Sequence, residues 1–154
     1  MHTVCEELIS KNISISVAES FTGGNVAANL VMHPGISSVF KASIVAYSDE
    51  AKNKLLGVKK ETLDAVGAVS YECATQMAEG VRILMNTDIG VSTTGFAGPG
   101  GGNCDNPVGT CYIAISTKSG TIAKRFNFIG SRDDITANGL TKVFELIRNT
   151  LKEF

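Results

Sequence analysis

The residues of this chain best suited to chemistry fall in three short stretches: SVAESFTGGN (16–25), YSDEAK (47–52) and TTGFAGPGGG (93–102). The first leaves an apolar run, passes Glu19, and sets Ser20 and Thr22 just ahead of Gly23, Gly24 and a helical pattern. A hydroxyl nucleophile in such a turn would lie beside backbone N–H groups at a helix N-terminus, which favour an anion or a developing oxyanion. The glycines let backbone approach a ligand closely. Plain N-capping by Ser20 or Thr22 accounts for the same residues equally well. The order is not G-x-S-x-G, so no α/β-hydrolase elbow is signalled. Glu19 acquires no role from its sequence position.

The second stretch places Tyr47 at a strand end and Lys52 four residues after Ser48, near the start of a helix. A helix N-terminus disfavours a cation and so depresses a lysine pKa. For Lys52 to act as a base the effect must be large. At the ordinary pKa of about 10.4 only about 1 lysine in 2,500 is neutral at pH 7, and bringing it near 7 takes roughly 4–5 kcal/mol of differential interaction. Burial or a second cation would have to contribute; a solvated surface lysine is the plainer alternative. The third stretch ends in a run of glycines after Thr93, Thr94 and Gly95. It lacks the G-K-[ST] ending of a P-loop, and its glycines are not spaced G-x-G-x-x-G. A backbone nest for a phosphate remains, as does an unstructured surface loop. Together the three stretches supply a hydroxyl nucleophile, a non-histidine base and anion-binding backbone, and Ser–Lys pairs are a recognised alternative to Ser–His–Asp.

Periodicity supplies the elements that must position these residues. Helical patterns cover 2–11, 25–32, 49–56, 71–85 and the segment after Ser131; strand patterns cover 13–18, 41–47, 87–95 and a hairpin turning at Lys118-Ser119-Gly120. Ser48, Ser70 and Ser131 are N-cap residues, with Asp134 in capping-box spacing to Ser131. Ala74, Met77, Ala78, Val81 and Leu84 form the apolar stripe of the 71–85 helix, and Ile135, Leu140, Val143, Phe144, Ile147 and Leu151 that of the last. The order α-β-α-β-α-α-β-β-β-α predicts a three-layer α/β/α domain over 1–154 with a mixed sheet. In open α/β sheets ligands sit beyond the carboxyl ends of strands, which is where all three stretches fall.

Composition narrows the classes. The 154 residues carry a net charge of −1, 44% hydrophobic and 19% charged residues, a globular balance with no basic stripe for nucleic acid. Lys52, Lys54, Lys59 and Lys60 read mostly as a solvated helix surface. No apolar run reaches membrane-span length and no secretory signal opens the chain, so a soluble, cytoplasmic protein is expected. Cys5, Cys73, Cys104 and Cys111 show no C-x-x-C pairing and read as free buried thiols; with only His2, at a frayed end, and His33, in a turn, no metal site or cofactor is expected.

AESFTGG (18–24), HPGISSVF (33–40), IVAYSDEAKNKLLGV (44–58), GAVS (67–70), TGFAGPGGG (94–102), PVGT (107–110) and GSR (130–132) stand in the order and spacing of the CinA C-terminal domain family, which the chain resembles over nearly its whole length. That resemblance implies a nicotinamide-nucleotide amidase that converts nicotinamide mononucleotide to nicotinate mononucleotide and ammonia in pyridine-nucleotide recycling, with no cofactor and as a homo-oligomer. It implies Ser20 as nucleophile, Lys52 as its proton acceptor, and Tyr47 as a proton relay or oxyanion donor. Amides around Thr22, Gly23 and Gly24 would hold the oxyanion, and Thr94, Gly95, Gly98 and Arg132 the nucleotide with its 5′-phosphate. Departures are Phe21 for the usual cysteine, Asp49 for asparagine and Ser131 for aspartate. Asp49 and Ser131 keep two alternatives open: a nucleotide-binding or partner-docking module with impaired catalysis, and an amidase or other hydrolase for a different nucleotide.

Overall fold

The computed structural model of the protein describes residues 1–154, the side chain of His2 excepted. The elements are α1 (His2–Ser10), β1 (Ile15–Glu19), α2 (Asn25–Val31), β2 (Phe40–Val45), α3 (Asp49–Leu56), α4 (Lys60–Val66), α5 (Tyr71–Met85), β3 (Ile89–Gly95), β4 (Thr110–Thr117), β5 (Gly120–Asn127) and α6 (Arg132–Thr150). The five strands form one mixed sheet in the order β2-β1-β3-β4-β5. β1 pairs in parallel with both β2 and β3, while β3, β4 and β5 are antiparallel neighbours.

Alternation along the central strands sorts the two faces. Ile15, Val17, Ile89, Val91, Ile113 and Ile115 point into one core, closed by Val4 and Leu8 of α1, Val26 and Leu30 of α2, and Val143, Phe144 and Ile147 of α6. The opposite face carries Ala18, Tyr112 and Ala114 and packs under Cys73, Ala74, Met77, Ala78 and Val81 of α5. The α/β/α layering with a mixed sheet is as the alternating pattern predicts.

The three serine caps are in place: Ser48 accepts from the Ala51 amide, Ser70 from Cys73, and Ser131 forms the capping box with Asp134. Three expectations are corrected. Helix α4 is additional; its only buried residue is Leu63 and no side chain caps it, so it carries neither an apolar stripe nor a start signal. Leu84 is exposed and Met85 continues the α5 stripe instead, because a position four residues beyond Val81 returns to the same helix face. Cys104 is exposed on the glycine-rich loop, whereas Cys5, Cys73 and Cys111 are buried free thiols. The expectation for His2 lies outside the described residues. Among the described residues no helix is long and apolar enough to cross a membrane.

Candidate active site

The parallel trio β2-β1-β3 ends on one edge of the sheet, and the three sequence stretches converge there. Ser20 follows the last residue of β1. Lys52 lies on α3, whose position is set by a backbone contact. Gly80 of α5 has no side chain, and a Cβ there would stand 1.8 Å from the Leu56 carbonyl oxygen. The close crossing of α3 and α5 aims Lys52 back at the end of β1.

Lys52 is only 3% exposed. Its Nζ donates to the Ala46 carbonyl at 2.9 Å and lies 3.3 Å from Ser20 Oγ. The solvated-lysine alternative is therefore overturned. Burial lowers its pKa from the ordinary lysine value, with the charges of Cys73 and Asp49 acting in the opposite direction. The effect is one of desolvation: the low-dielectric surroundings penalise the ammonium form. The same burial pushes the Cys73 thiol up to about 11, against the opposing pull of Lys52.

Glu19 is the site residue to which sequence reasoning gave no role. It is fully buried, and five donors converge on it. Oε2 accepts from the Thr22 hydroxyl (2.7 Å) and the amides of Gly24 and Val26 (3.0 Å each); Oε1 accepts from the Ala27 amide (2.9 Å) and the Ser43 hydroxyl (3.0 Å). A carboxylate accepts hydrogen bonds and donates none, and a helix N-terminus offers free donors of matching polarity. So α2 is capped by Glu19, not by Ser20 or Thr22. This corrects the expectation that amides at Gly23 and Gly24 hold an oxyanion: Gly24 donates to Glu19, and Gly23 donates to the Ser20 carbonyl at 3.0 Å. The available signal was a carboxylate at the end of a strand of apolar and small residues, just before two glycines and a helix.

Arg132, the first residue of α6, ties the third stretch to the second. Its Nη1 donates to the Gly98 carbonyl and its Nη2 to Tyr47 Oη, both at 2.7 Å. Tyr47 is 61% exposed on the rim. Among the described residues it makes no hydrogen bond to Ser20 or Lys52. Thr94 is buried and donates to the Ala68 carbonyl at 2.7 Å. Gly95 is sterically required, since a Cβ would stand 2.7 Å from Cys111 Sγ.

Ser20, Tyr47, Lys52, Thr94, Gly95, Gly98 and Arg132 thus line one cleft of about 260 Å³, together with Asp49 and Phe21. Thr22 and Gly23 face an adjoining cavity of about 470 Å³ between α2 and α6, which shares Phe21, Tyr47 and Arg132 with the first. Gly24 lines neither. The amides of Ala97, Gly98 and Gly100 make no hydrogen bond among the described residues and lie on the cleft-lining loop. The arrangement joins a buried amine and a hydroxyl to a rim of anion-binding groups.

A family model described as the CinA C-terminal domain matches residues 1–151. The chain belongs to the CinA C-terminal domain family. Among its relatives, a competence-damage inducible protein by name from Clostridium perfringens is 47% identical over 146 residues, covering 95% of this chain and 35% of the relative. One of the same name from Caldanaerobacter subterraneus is 45% identical over 149 residues, covering 97% and 36%. The chain spans about a third of the length of these curated relatives. A CinA superfamily crystal structure from Klebsiella pneumoniae superposes with a TM-score of 0.95 at 31% identity, covering 99% of this chain and 96% of that one. The competence/damage inducible protein CihA from Agrobacterium tumefaciens gives 0.93 at 32% identity, with 97% and 92% covered.

Proposed function

We propose that this chain hydrolyses the carboxamide of nicotinamide mononucleotide by acyl transfer through Ser20 and Lys52, releasing ammonia and nicotinate mononucleotide in pyridine-nucleotide recycling. The observation that carries the reading is the buried Lys52 amine 3.3 Å from Ser20 Oγ in a cleft. The nucleotide as substrate is supported by the family resemblance, by Arg132 and by the glycine loop at the other end of that cleft.

In this reading neutral Lys52 takes the Ser20 proton as Oγ attacks the carboxamide carbon. Lys52 then protonates the departing nitrogen, ammonia leaves, and water cleaves the Ser20 ester with Lys52 again as base. With the α2 amides engaged by Glu19, the Phe21 amide takes the oxyanion role. It follows the nucleophile directly and makes no hydrogen bond among the described residues. Arg132 and the amides of Ala97, Gly98 and Gly100 receive the 5′-phosphate, a guanidinium being suited to bidentate phosphate contacts. Tyr47, whose hydroxyl is held by Arg132, contacts substrate at the rim. Replacement of aspartate by Ser131 leaves Arg132 oriented, because Gly98 and Tyr47 hold its guanidinium and Ser131 caps α6.

The test is a product assay by mass spectrometry on the purified protein with nicotinamide mononucleotide, beside other nucleotide amides and nicotinamide-containing dinucleotides. Nicotinate mononucleotide formed fastest from the mononucleotide is the expected result; turnover of another amide alone overturns the substrate assignment. Asp49 in the cleft favours one rival, a nucleotide-binding module without turnover. That rival predicts a melting temperature raised by the mononucleotide with no product formed.

A further inference from the structure

Glu19 is fully buried, yet among the described residues it forms no ion pair; all its partners are hydrogen-bond donors. Such a carboxylate is retained against a substantial desolvation cost, and its connections lead to the nucleophile. Because Thr22 spends its only proton on Glu19 Oε2, the 2.8 Å contact between Thr22 and Thr93 must carry the Thr93 proton. Thr93 then turns a lone pair to the Ser20 amide, which donates to it at 3.3 Å. The order of donation is fixed from end to end: Ser20 amide to Thr93, Thr93 to Thr22, Thr22 to Glu19.

We propose that Glu19 is a positioning residue for the nucleophile, acting through Thr22 and Thr93 to hold the Ser20 backbone with its Oγ facing Lys52. The proposal rests on Ser20 being the nucleophile. Oε2 terminates the relay from Ser20 and also holds the Gly24 and Val26 amides, while Oε1 binds the Ala27 amide and, on the edge strand, Ser43. Glu19 also occupies the N-terminus of α2 with its own negative charge, which directs a substrate anion to the 97–100 loop and Arg132.

The experiment compares kcat, KM and melting temperature for the parent chain, Ser20→Ala, Thr93→Val, Thr93→Ser, Ser43→Ala and Glu19→Gln. Thr93→Val keeps the β-branched shape and removes the relay hydroxyl. It is expected to lower kcat about 10- to 100-fold with KM changed by less than about twofold, as misplacement of a reacting group does. Thr93→Ser restores most of that loss. Ser43→Ala loses a bond to the other oxygen and is expected to lower the melting temperature with kcat near the parent's. Glu19→Gln lowers kcat at least as far as Thr93→Val. A folded Thr93→Val protein with parental kcat overturns the proposal. So does equal impairment of Thr93→Val and Thr93→Ser, or a fully active Glu19→Gln. If Ser20→Ala is as active as the parent, the Ser–Lys reading itself fails, an outcome distinct from these.

Discussion

Lys52 is where the chemistry and the stability of this protein meet. An amine held in a site that disfavours its charge is available as a base, but it also weakens the fold whenever it is protonated. Because its pKa is lowered in the folded state, the unfolded chain binds more protons between that lowered value and about 10.4, so stability rises with pH through this window. Lys52→Met removes the titration. Its melting-temperature advantage over the parent is therefore expected to shrink as pH rises through that window towards about 10.4; thermal scans across it check this, and an advantage that grows with pH contradicts it. In the proposed mechanism the same lysine sets the acid limb of kcat/KM. Asp49 raises the Lys52 pKa, so Asp49→Asn moves that limb to lower pH, measurable as a pH–rate profile. The polarity of these residues was legible from the sequence; their surroundings were not. Lys52 sits among other lysines in an amphipathic pattern, and nothing local distinguishes it from Lys54. Only the approach of α5 onto α3, through a glycine far along the chain, buries it.

At the scale of elements, the departure at Phe21 is explained by its partner on α6. Phe21 is buried against Ala97, Cys111 and Ile135, and a Cβ at Gly139 would stand 2.5 Å from its ring. Gly139→Ala is therefore expected to destabilise the parent by about 1–3 kcal/mol through overpacking, despite alanine's better helix propensity of about 1 kcal/mol. In a Phe21→Cys background, where the ring is gone, the same change is expected to be neutral or stabilising. Denaturant unfolding of the four proteins in the double-mutant cycle measures the coupling. This pairing also shows which elements sequence reading reaches. The capped helices α3, α5 and α6, the last two with apolar stripes, and the alternating strands carry their own signals. Helix α4 buries only Leu63 and has no cap, so it escaped notice. The bond network of Glu19 escaped because a carboxylate at a strand end is informative only once the helix it caps is seen folded back upon it.

Across the whole molecule, the parallel ends of β1, β2 and β3 make the floor of the cleft, and α6 closes it from the far end of the chain. Arg132 reaches from the first turn of α6 to the Gly98 carbonyl and the Tyr47 hydroxyl, joining both rims. Its charge serves the phosphate of the proposed substrate more than the reacting amide. Arg132→Met is accordingly expected to raise KM about 10- to 100-fold with a smaller effect on kcat, the scale of losing a charge-assisted contact of about 1.5–3 kcal/mol. Steady-state kinetics on the mononucleotide reads this split, and a change confined to kcat contradicts the assignment. In the proposed mechanism Ser20 and Lys52 together break the carboxamide bond. The most direct measurement is the rate of ammonia release from nicotinamide mononucleotide by the parent, Ser20→Ala and Lys52→Met proteins at equal folded concentration. A loss of at least about 10²-fold in each variant is the predicted result, given that removal of a single oxyanion donor alone typically costs about 10²–10³; release at the parental rate by either variant would contradict the account.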